Sequence, residues 1–332
     1  MMAVGFIGLG LIGARRFQIA RDLGHQISFA VDPDPLRHAQ MKTDGCRFAK
    51  TLDELSDQDT SGVQAIFVAV PHYLAADYCR WGFSRKAHVL CEKPMGISFA
   101  EADAIRRAAS EANVQFCAGF NYRFLPGVAA LRDLLTSGQL GMIHRIKMAM
   151  GHGGRPGMEN EWKLKKAKAG GGALIDPGIH LVDLVRNLFG ESQVVSSRLR
   201  KLFWPSDVED NCFLALRAGE ADVTIEVSLT SWKNHFSIEV YGSDGQAILS
   251  GRGGNYGSQQ LEFVNRWFWK DDDRRFVRDY GSADPSFELE TRAFIDLISS
   301  DTSNPILSTA EDGCAALKIV EQLYAATDTR GL

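Results

Sequence analysis

The chain has 332 residues, of which 45% are hydrophobic and 23% charged, and its formal net charge is −4. This globular composition excludes a disordered, collagen-like or coiled-coil protein, and the length suggests about two domains. The charge balance argues against nucleic-acid binding, and no apolar run is long enough for a membrane helix. The cysteines and histidines form no recognised metal-binding spacing, so we expect no metal site. Because the N-terminus has no signal-peptide pattern, we expect a cytoplasmic protein.

The first part of the chain alternates strand-like and helix-like segments. The strand-like segments lie at residues 4–7, 26–31, 63–70, 88–91 and 114–119. Strands that alternate with helices predict a doubly wound parallel sheet. We therefore expect an α/β domain of this kind over residues 1–122.

The pattern changes in the second part, which we expect to form a domain over residues 123–332. Within the segment 222–230, Val223, Ile225 and Val227 would face one way and polar side chains the other. Such alternation predicts an α+β domain with a large, open and mostly antiparallel sheet. Its polar face suggests self-association into a homodimer or homotetramer. The long polar stretch at 151–172 is expected to be a functional loop.

A glycine motif follows the first strand and opens the first helix. Gly8, Gly10 and Gly13 fit G-x-G-x-x-G, with Leu11 and Ile12 inside the motif. In a strand–turn–helix context, such a motif lets a pyrophosphate approach the backbone and the positive end of the helix dipole. We expect a dinucleotide to bind there.

An acidic residue, Asp32, ends the next strand. At that position a carboxylate accepts hydrogen bonds from the adenosine ribose and repels a 2′-phosphate, so we expect NAD as the cofactor. Arg37 lies nearby and leaves NADP possible.

Three further segments carry reactive or polar side chains. Glu92-Lys93-Pro94 follows the strand at 88–91, and Asn121-Tyr122-Arg123-Phe124 follows the last strand of the first part. The segment 170–183 reads G-G-G-A-L-I-D-P-G-I-H-L-V-D and contains Asp176 and His180. At these segments the chain resembles the Gfo/Idh/MocA family of glucose–fructose oxidoreductase and inositol dehydrogenase relatives, and the resemblance spans nearly the whole chain.

This resemblance implies an N-terminal Rossmann domain, a C-terminal α/β domain and NAD(P)-dependent hydride transfer at a sugar or polyol carbon. It places Lys93, Asp176 and His180 on the catalytic positions. Many members carry P-N-x-x-H after the fourth strand, whereas this chain has Pro71-His72-Tyr73-Leu74-Ala75. Further expected cofactor contacts are Val70, Pro71, His72, Glu92, Lys93, Asn121 and Trp162.

Oxidation of a secondary alcohol needs a base for the hydroxyl proton and a positive group beside the developing alkoxide. Lys93 is the candidate cation and His180 the candidate base. His180 follows Asp176 by four residues, so both side chains could share one helix face. Asp176 could also be a helix N-cap, with Pro177 in the first turn. The helix dipole would lower the pKa of His180, whereas the Asp176 carboxylate would raise it. Either result leaves a histidine that can act as a base near neutral pH.

Other polar residues have two interpretations each. Tyr122 and Arg123 could bind substrate, and Arg123 could equally form a structural salt bridge. Four lysines could meet a phosphorylated or nucleotide-linked sugar, although a solvated loop face is the more usual explanation: Lys163, Lys165, Lys166 and Lys168. His152 is a less favoured candidate for the pocket wall.

The function predicted from these features is NAD(P)-dependent dehydrogenation of a small-molecule sugar, polyol or nucleotide-linked sugar. Two alternatives stay open. The same residues could serve a lyase or glycoside hydrolase that retains NAD and oxidises its sugar only transiently, or the protein could be a non-catalytic NAD-binding sensor.

Overall fold

A computed structural model describes residues 1–267, 275–300, 302 and 304–327. The chain divides into two compact units, the first formed by residues 1–120 and 287–315 and the second by the remainder. No helix among these described residues is long and apolar enough to span a bilayer.

The first unit contains a six-stranded sheet. Its strands are β1 (Ala3–Ile7), β2 (Gln26–Val31), β3 (Arg47–Ala49), β4 (Ala65–Val68), β5 (His88–Glu92) and β6 (Phe116–Gly119). The intervening helices are α1 (Leu11–Asp22), α2 (Pro35–Gln40), α3 (Asp57–Thr60), α4 (Ala75–Ser84) and α5 (Phe99–Ala112). The strand order is β3-β2-β1-β4-β5-β6 and every pair is parallel, which confirms the predicted doubly wound sheet.

The strand order also locates a crevice. The chain adds strands on one side of β1 and then returns to add β4 on the other, so the carboxyl ends of β1 and β4 lie side by side. In open sheets of this kind, ligands bind outside the carboxyl ends at this reversal. The strands there are buried on both faces, and the Phe6 and Phe67 rings stack with centroids 4.9 Å apart.

The second unit is built on an eight-stranded sheet. Its elements in chain order are α6 (Pro126–Thr136), β7 (Ile143–Gly151), α7 (Lys166–Ala169), α8 (Ile179–Phe189), β8 (Ser192–Arg200), β9 (Asn211–Ala218), β10 (Ala221–Ser228), β11 (His235–Gly242), β12 (Gly245–Ser250), β13 (Gln260–Asn265) and β14 (Phe276–Asp279). The order is β14-β13-β12-β11-β7-β10-β9-β8, and only the β7–β10 pair is parallel among these strands.

The predicted two-faced character of this sheet is confirmed. Buried and exposed residues alternate along β10, as expected for a strand with one face covered and one in solvent. Helix α6 packs against β12 and β13, and α8 packs against β9. The polar stretch at 151–172 is more ordered than a plain loop, since it contains two 3₁₀ turns, Met158–Asn160 and Trp162–Leu164, as well as α7.

Two helices end the described chain, α9 (Ser286–Ser300) and α10 (Ala310–Ala325). Residues 287–315 group with the first unit, so the division is not the single cut after residue 122 that the sequence suggested. The physical reason is apolar packing: Phe294 of α9 is fully buried and meets the Phe67 ring edge-on at 5.8 Å.

Candidate active site

The glycine loop of the first unit packs so closely on its neighbours that two of its glycines admit no side chain. Gly8 has φ +89°, and a Cβ atom on it would lie 2.4 Å from the carbonyl oxygen of Ala69. A Cβ on Gly13 would lie 1.9 Å from the Gly8 carbonyl oxygen, so α1 packs directly on the loop. Gly10 is the N-cap of α1 and gives it no side-chain cap, and Leu11 is 87% exposed. The first N–H groups of α1 can therefore serve a pyrophosphate.

The carboxylate of Asp32 is fixed beside this loop. One oxygen accepts hydrogen bonds from the Leu9 N–H at 2.7 Å and from Arg37 Nη1 at 3.2 Å. The other oxygen accepts the Asp34 N–H at 2.9 Å. These bonds hold a buried negative charge after β2, as a site for ribose hydroxyls requires. The residues present thus fit a dinucleotide.

The chain after β4 lies at the same edge of the sheet. Val70 and Pro71 are half-buried there, and His72 is buried at the start of a 3₁₀ turn. Because β4 lies next to β1 in the sheet order, these residues stand beside the glycine loop, where a cofactor contact is expected.

Lys93 follows β5 at the carboxyl edge of the same parallel sheet. It is half-buried, and its peptide bond to Pro94 is cis. The preceding Glu92 accepts a hydrogen bond from Arg16 Nε at 2.6 Å, and Arg16 Nη2 lies 2.5 Å from Glu290 of α9. Burial favours the neutral form of Arg16, but the two carboxylates outweigh it and raise the pKa of Arg16.

This buried triad was not predicted from the sequence. The cofactor contact expected of Glu92 stays a prediction, and its side chain anchors the end of β5 to α1 and, through Arg16, to α9. Arg16 and Glu290 lie 274 residues apart and carry no local pattern that would pair them.

In the second unit, Asp176 lies in a π-helical turn, Leu174–Gly178, that precedes α8. Its φ of −149° and ψ of 103° are not helical, its bond to Pro177 is cis, and Gly178 is the N-cap of α8. The N-cap interpretation of Asp176 is therefore wrong. The shared helix face with His180 is wrong for the same reason, since the helix begins only after Asp176.

Asp176 forms an ion pair that the sequence did not assign. Lys163 Nζ donates to its Oδ2 at 2.7 Å, and the charge of Asp176 raises the pKa of Lys163 against the opposing effect of burial. Lys163 belongs to the 3₁₀ turn that starts at Trp162, and its Nζ lies 5.8 Å from that ring. Of the four loop lysines, Lys163 thus joins the candidate site, whereas Lys165 and Lys166 are exposed.

His180 is buried and stacks flat on Tyr122, with ring centroids 3.7 Å apart and 4° between the planes. Phe236 packs edge-on against Tyr122, with the two ring centroids 5.9 Å apart. Burial is the main reason that the pKa of Tyr122 is raised. This packing fixes the plane of the imidazole and makes Tyr122 a neutral wall.

The neighbours of Tyr122 in sequence are held by other partners. Arg123 donates to Asp183 from Nε at 2.8 Å and from Nη2 at 2.5 Å, with both side chains buried. The structure thus favours the salt-bridge interpretation of Arg123 over substrate binding. Asn121 donates to Ser286 Oγ at 2.7 Å.

His152, the less favoured candidate, lies close enough to Asp176 and Lys163 for their charges to affect its pKa. Its Nδ1 accepts the Gly154 N–H at 3.0 Å, so the neutral ring carries its proton on Nε2. Burial lowers the pKa of His152, and Lys163 acts in the same direction while Asp176 opposes it. A neutral imidazole with an Nε2–H donor can bind a substrate oxygen.

Two family models match the chain, and together they cover more than two thirds of it. Residues 2–120 match an oxidoreductase family with an NAD-binding Rossmann fold, and residues 128–248 match the GFO/IDH/MocA C-terminal domain. The chain belongs to the GFO/IDH/MocA oxidoreductase family. The membership predicted from the E-K-P and glycine-rich segments is confirmed.

Relatives in this family include enzymes with sugar substrates in their names. Glucose-6-phosphate 3-dehydrogenase of Bacillus subtilis (strain 168) is 33% identical over 48% of this chain and 45% of its own length. The 2,7-anhydro-N-acetylneuraminate hydratase of Escherichia coli (strain K12) is 31% identical over 58% of this chain and 50% of its own. The chain therefore spans about half the length of these curated relatives.

Solved structures share the whole fold. A levoglucosan dehydrogenase in complex with NADH and levoglucosan superposes with a TM-score of 0.85, covering 98% of this chain and 96% of its own, at 21% identity. At that identity, the likeness supports the two-part architecture of the family and not the identity of a ligand.

Proposed function

We propose that the protein is an NAD-dependent dehydrogenase that oxidises a secondary alcohol carbon of a sugar, polyol or nucleotide-linked sugar. One observation carries the proposal: the carboxyl edge of a single parallel sheet presents both a glycine loop that fits a pyrophosphate and, after β5, the half-buried Lys93. A relative named as a sugar phosphate dehydrogenase supports the substrate class.

The first unit would hold the cofactor. The glycine loop would bind the pyrophosphate through the first N–H groups of α1, and Asp32 would bind the ribose hydroxyls. When bound, the nicotinamide would accept a hydride from the carbinol carbon. Arg37 is paired with Asp32 at 3.2 Å and with Asp34 at 3.5 Å, which favours NAD, because a 2′-phosphate would have to displace those carboxylates.

The protein's own residues would handle the proton and the oxygen charge. Lys93 would donate a hydrogen bond to the hydroxyl oxygen and stabilise the alkoxide as it develops. His180 would take the hydroxyl proton, with its ring plane fixed by the stack on Tyr122. Asp176, held by Lys163, would orient the hydroxyl group.

A cofactor-retaining lyase is the second candidate function, and the relative named as a hydratase favours it. Both reactions begin with oxidation of the sugar, so the same residues would serve. They differ in the net formation of NADH, because a dehydrogenase releases NADH whereas the lyase uses it to reduce its product again and releases none.

A panel of sugars and polyols with NAD and with NADP tests the proposal. We expect NADH to accumulate one for one with oxidised product, followed by nicotinamide absorbance and by chromatography of the sugar. Product without net NADH would instead assign the lyase. NADH binding without turnover of any member would assign a sensor and contradict the proposal.

Cofactor choice gives a second test. Asp32→Asn removes the charge that repels a 2′-phosphate and frees Arg37 to meet it. We expect the ratio of kcat/KM with NAD to that with NADP to fall by about tenfold or more. Asp53→Asn, at an exposed position of the same unit, is the matched control. An unchanged ratio in Asp32→Asn would show that this carboxylate does not distinguish NAD from NADP.

We also propose that the protein is cytoplasmic and that it self-associates through the polar face of the eight-stranded sheet. That face carries a linked set of side chains suited to a hydrated interface: Arg145 lies 3.9 Å from the Tyr241 ring centroid, the Tyr241 hydroxyl donates to Glu239 at 2.5 Å, and Lys147 lies 3.9 Å from Glu239.

A further inference from the structure

Arg252 lies in the loop between β12 and β13 of the second unit, and the loop is held in place by its backbone. The Gly251 N–H donates to the Phe236 carbonyl oxygen at 2.9 Å, and the Gly253 N–H donates to that of Gly257 at 2.9 Å. The arginine between these two anchored residues is half-buried. Its backbone position is therefore set independently of any ligand.

Two tyrosine rings position the guanidinium group. Its Cζ lies 3.7 Å from the ring centroid of Tyr256 and 5.0 Å from that of Tyr122. Tyr122 is the ring that stacks on His180. Arg252 also lowers the pKa of His152, in addition to the larger effect of burial. Arg252 thus belongs to the same site as the proposed base, although no sequence motif pointed to it.

The Nε atom of Arg252 is buried and has no hydrogen-bond acceptor among the residues that the structure describes. Two fully buried arginines, Arg16 and Arg123, have carboxylate partners: Arg16 pairs with Glu92 and Glu290, and Arg123 with Asp183. A buried guanidinium donor normally has an acceptor, since its desolvation is otherwise uncompensated. The missing acceptor is the feature that needs an explanation.

We propose that Arg252 binds an oxyanion of the substrate, either a carboxylate or a phosphate, and so selects sugar acids or sugar phosphates over neutral sugars. Nε and one Nη of a guanidinium can donate two parallel hydrogen bonds to such a group. The tyrosine rings hold the guanidinium plane and leave its edge for the ligand. No carboxylate among the described residues accepts a hydrogen bond from Nε, so this role is open to a ligand. The inference deepens the proposed function and rests on it, because the bound oxyanion belongs to a substrate only if the protein is a dehydrogenase.

Matched ligands test the proposal: D-glucose as the neutral member, D-glucuronate as the carboxylate and D-glucose 6-phosphate as the phosphate. Their binding to the full-length protein is measured by calorimetry with and without NADH, and their oxidation is followed with NAD. We expect at least one anionic member to bind and to react about ten- to a hundredfold better than glucose. The two anionic arms distinguish a carboxylate ligand from a phosphate ligand.

Variants of Arg252 test whether this residue causes the preference for anionic ligands. In Arg252→Met the anionic-to-neutral ratio should fall to below about threefold, and Arg252→Lys, which keeps the charge but not the planar fork, should retain part of it. Arg278→Met is the matched control, because Arg278 also stacks on a ring, 4.6 Å from the Phe276 centroid, but is exposed. A circular dichroism spectrum and melting temperature like those of the wild type show that each variant is folded.

The outcomes separate this inference from the proposed function. Equal binding of neutral and anionic members, no binding of either anion, or an unchanged ratio in Arg252→Met would each overturn it. Turnover of neutral sugars alone would overturn it and leave the dehydrogenase standing. A binding preference for an anion that Arg252→Met abolishes, without NADH formation, would support the oxyanion site and count against the dehydrogenase.

Discussion

Replacing Lys93 by methionine is expected to lower kcat by about a hundred- to a thousandfold while NADH binding changes by less than about tenfold. Methionine keeps most of the length and volume of the side chain but removes the ammonium group. The alkoxide that develops as the hydroxyl loses its proton would then lack its positive partner. Such an interaction is made mainly in the transition state, so its loss lowers kcat more than it raises KM.

The measurement pairs steady-state kinetics on the best substrate of the panel with NADH titrations followed by protein fluorescence. Lys50→Met, at an exposed position of the same unit, should change neither quantity. A normal kcat in Lys93→Met would remove the residue from catalysis. A fall in NADH affinity as large as the fall in kcat would assign it to cofactor binding instead.

The parallel half of the fold was predictable because its signals are local. The buried strands β1 and β4 are continuous apolar runs, and the glycine loop and Asp32 have the spacing that is typical of a strand–turn–helix unit that binds a dinucleotide. The strand Gln26–Val31 was predicted with the bounds that the structure has. Here the sequence pattern and the tertiary structure impose the same order.

The second unit was predicted less well at the point that matters for chemistry. Asp176 followed by proline has the composition of a helix start, but its extended backbone postpones the helix until after Gly178. A π-helical turn has no composition that separates it from an ordinary helix start. The predicted neighbour relation between Asp176 and His180 therefore rested on the wrong local geometry.

Pairings between distant segments were beyond the sequence altogether. The Lys163–Asp176 ion pair, the Tyr122–His180 stack and the ring contacts of Arg252 join residues from different elements of the second unit. Nothing in a single sequence states which lysine of a loop or which arginine of a glycine-rich turn will be buried. Arg252 differs from an exposed arginine in its buried Nε atom, which has no acceptor among the described residues, and both are tertiary properties.

Replacing Arg16 by methionine is expected to lower the free energy of unfolding by about 3–5 kcal/mol, because it leaves the carboxylates of Glu92 and Glu290 without their shared cation. Glu290 is completely buried and Glu92 nearly so, with 13% of its side chain exposed. The loss should appear in urea unfolding curves as a lower midpoint. Arg80→Met, which breaks the exposed pair with Asp77, should cost at most about 1 kcal/mol.

A double substitution separates charge from packing in this triad. If the cost arises from an uncompensated buried carboxylate, then adding Glu290→Met to Arg16→Met should recover part of the lost stability. Further destabilisation by the second substitution would instead identify lost packing as the cause. Because Glu92 immediately precedes Lys93, Arg16→Met should also lower kcat by more than the loss of folded protein explains. The double substitution restores no partner to Glu92, so we expect it to recover stability but not kcat. That result would identify Arg16 as a positioning residue for Lys93.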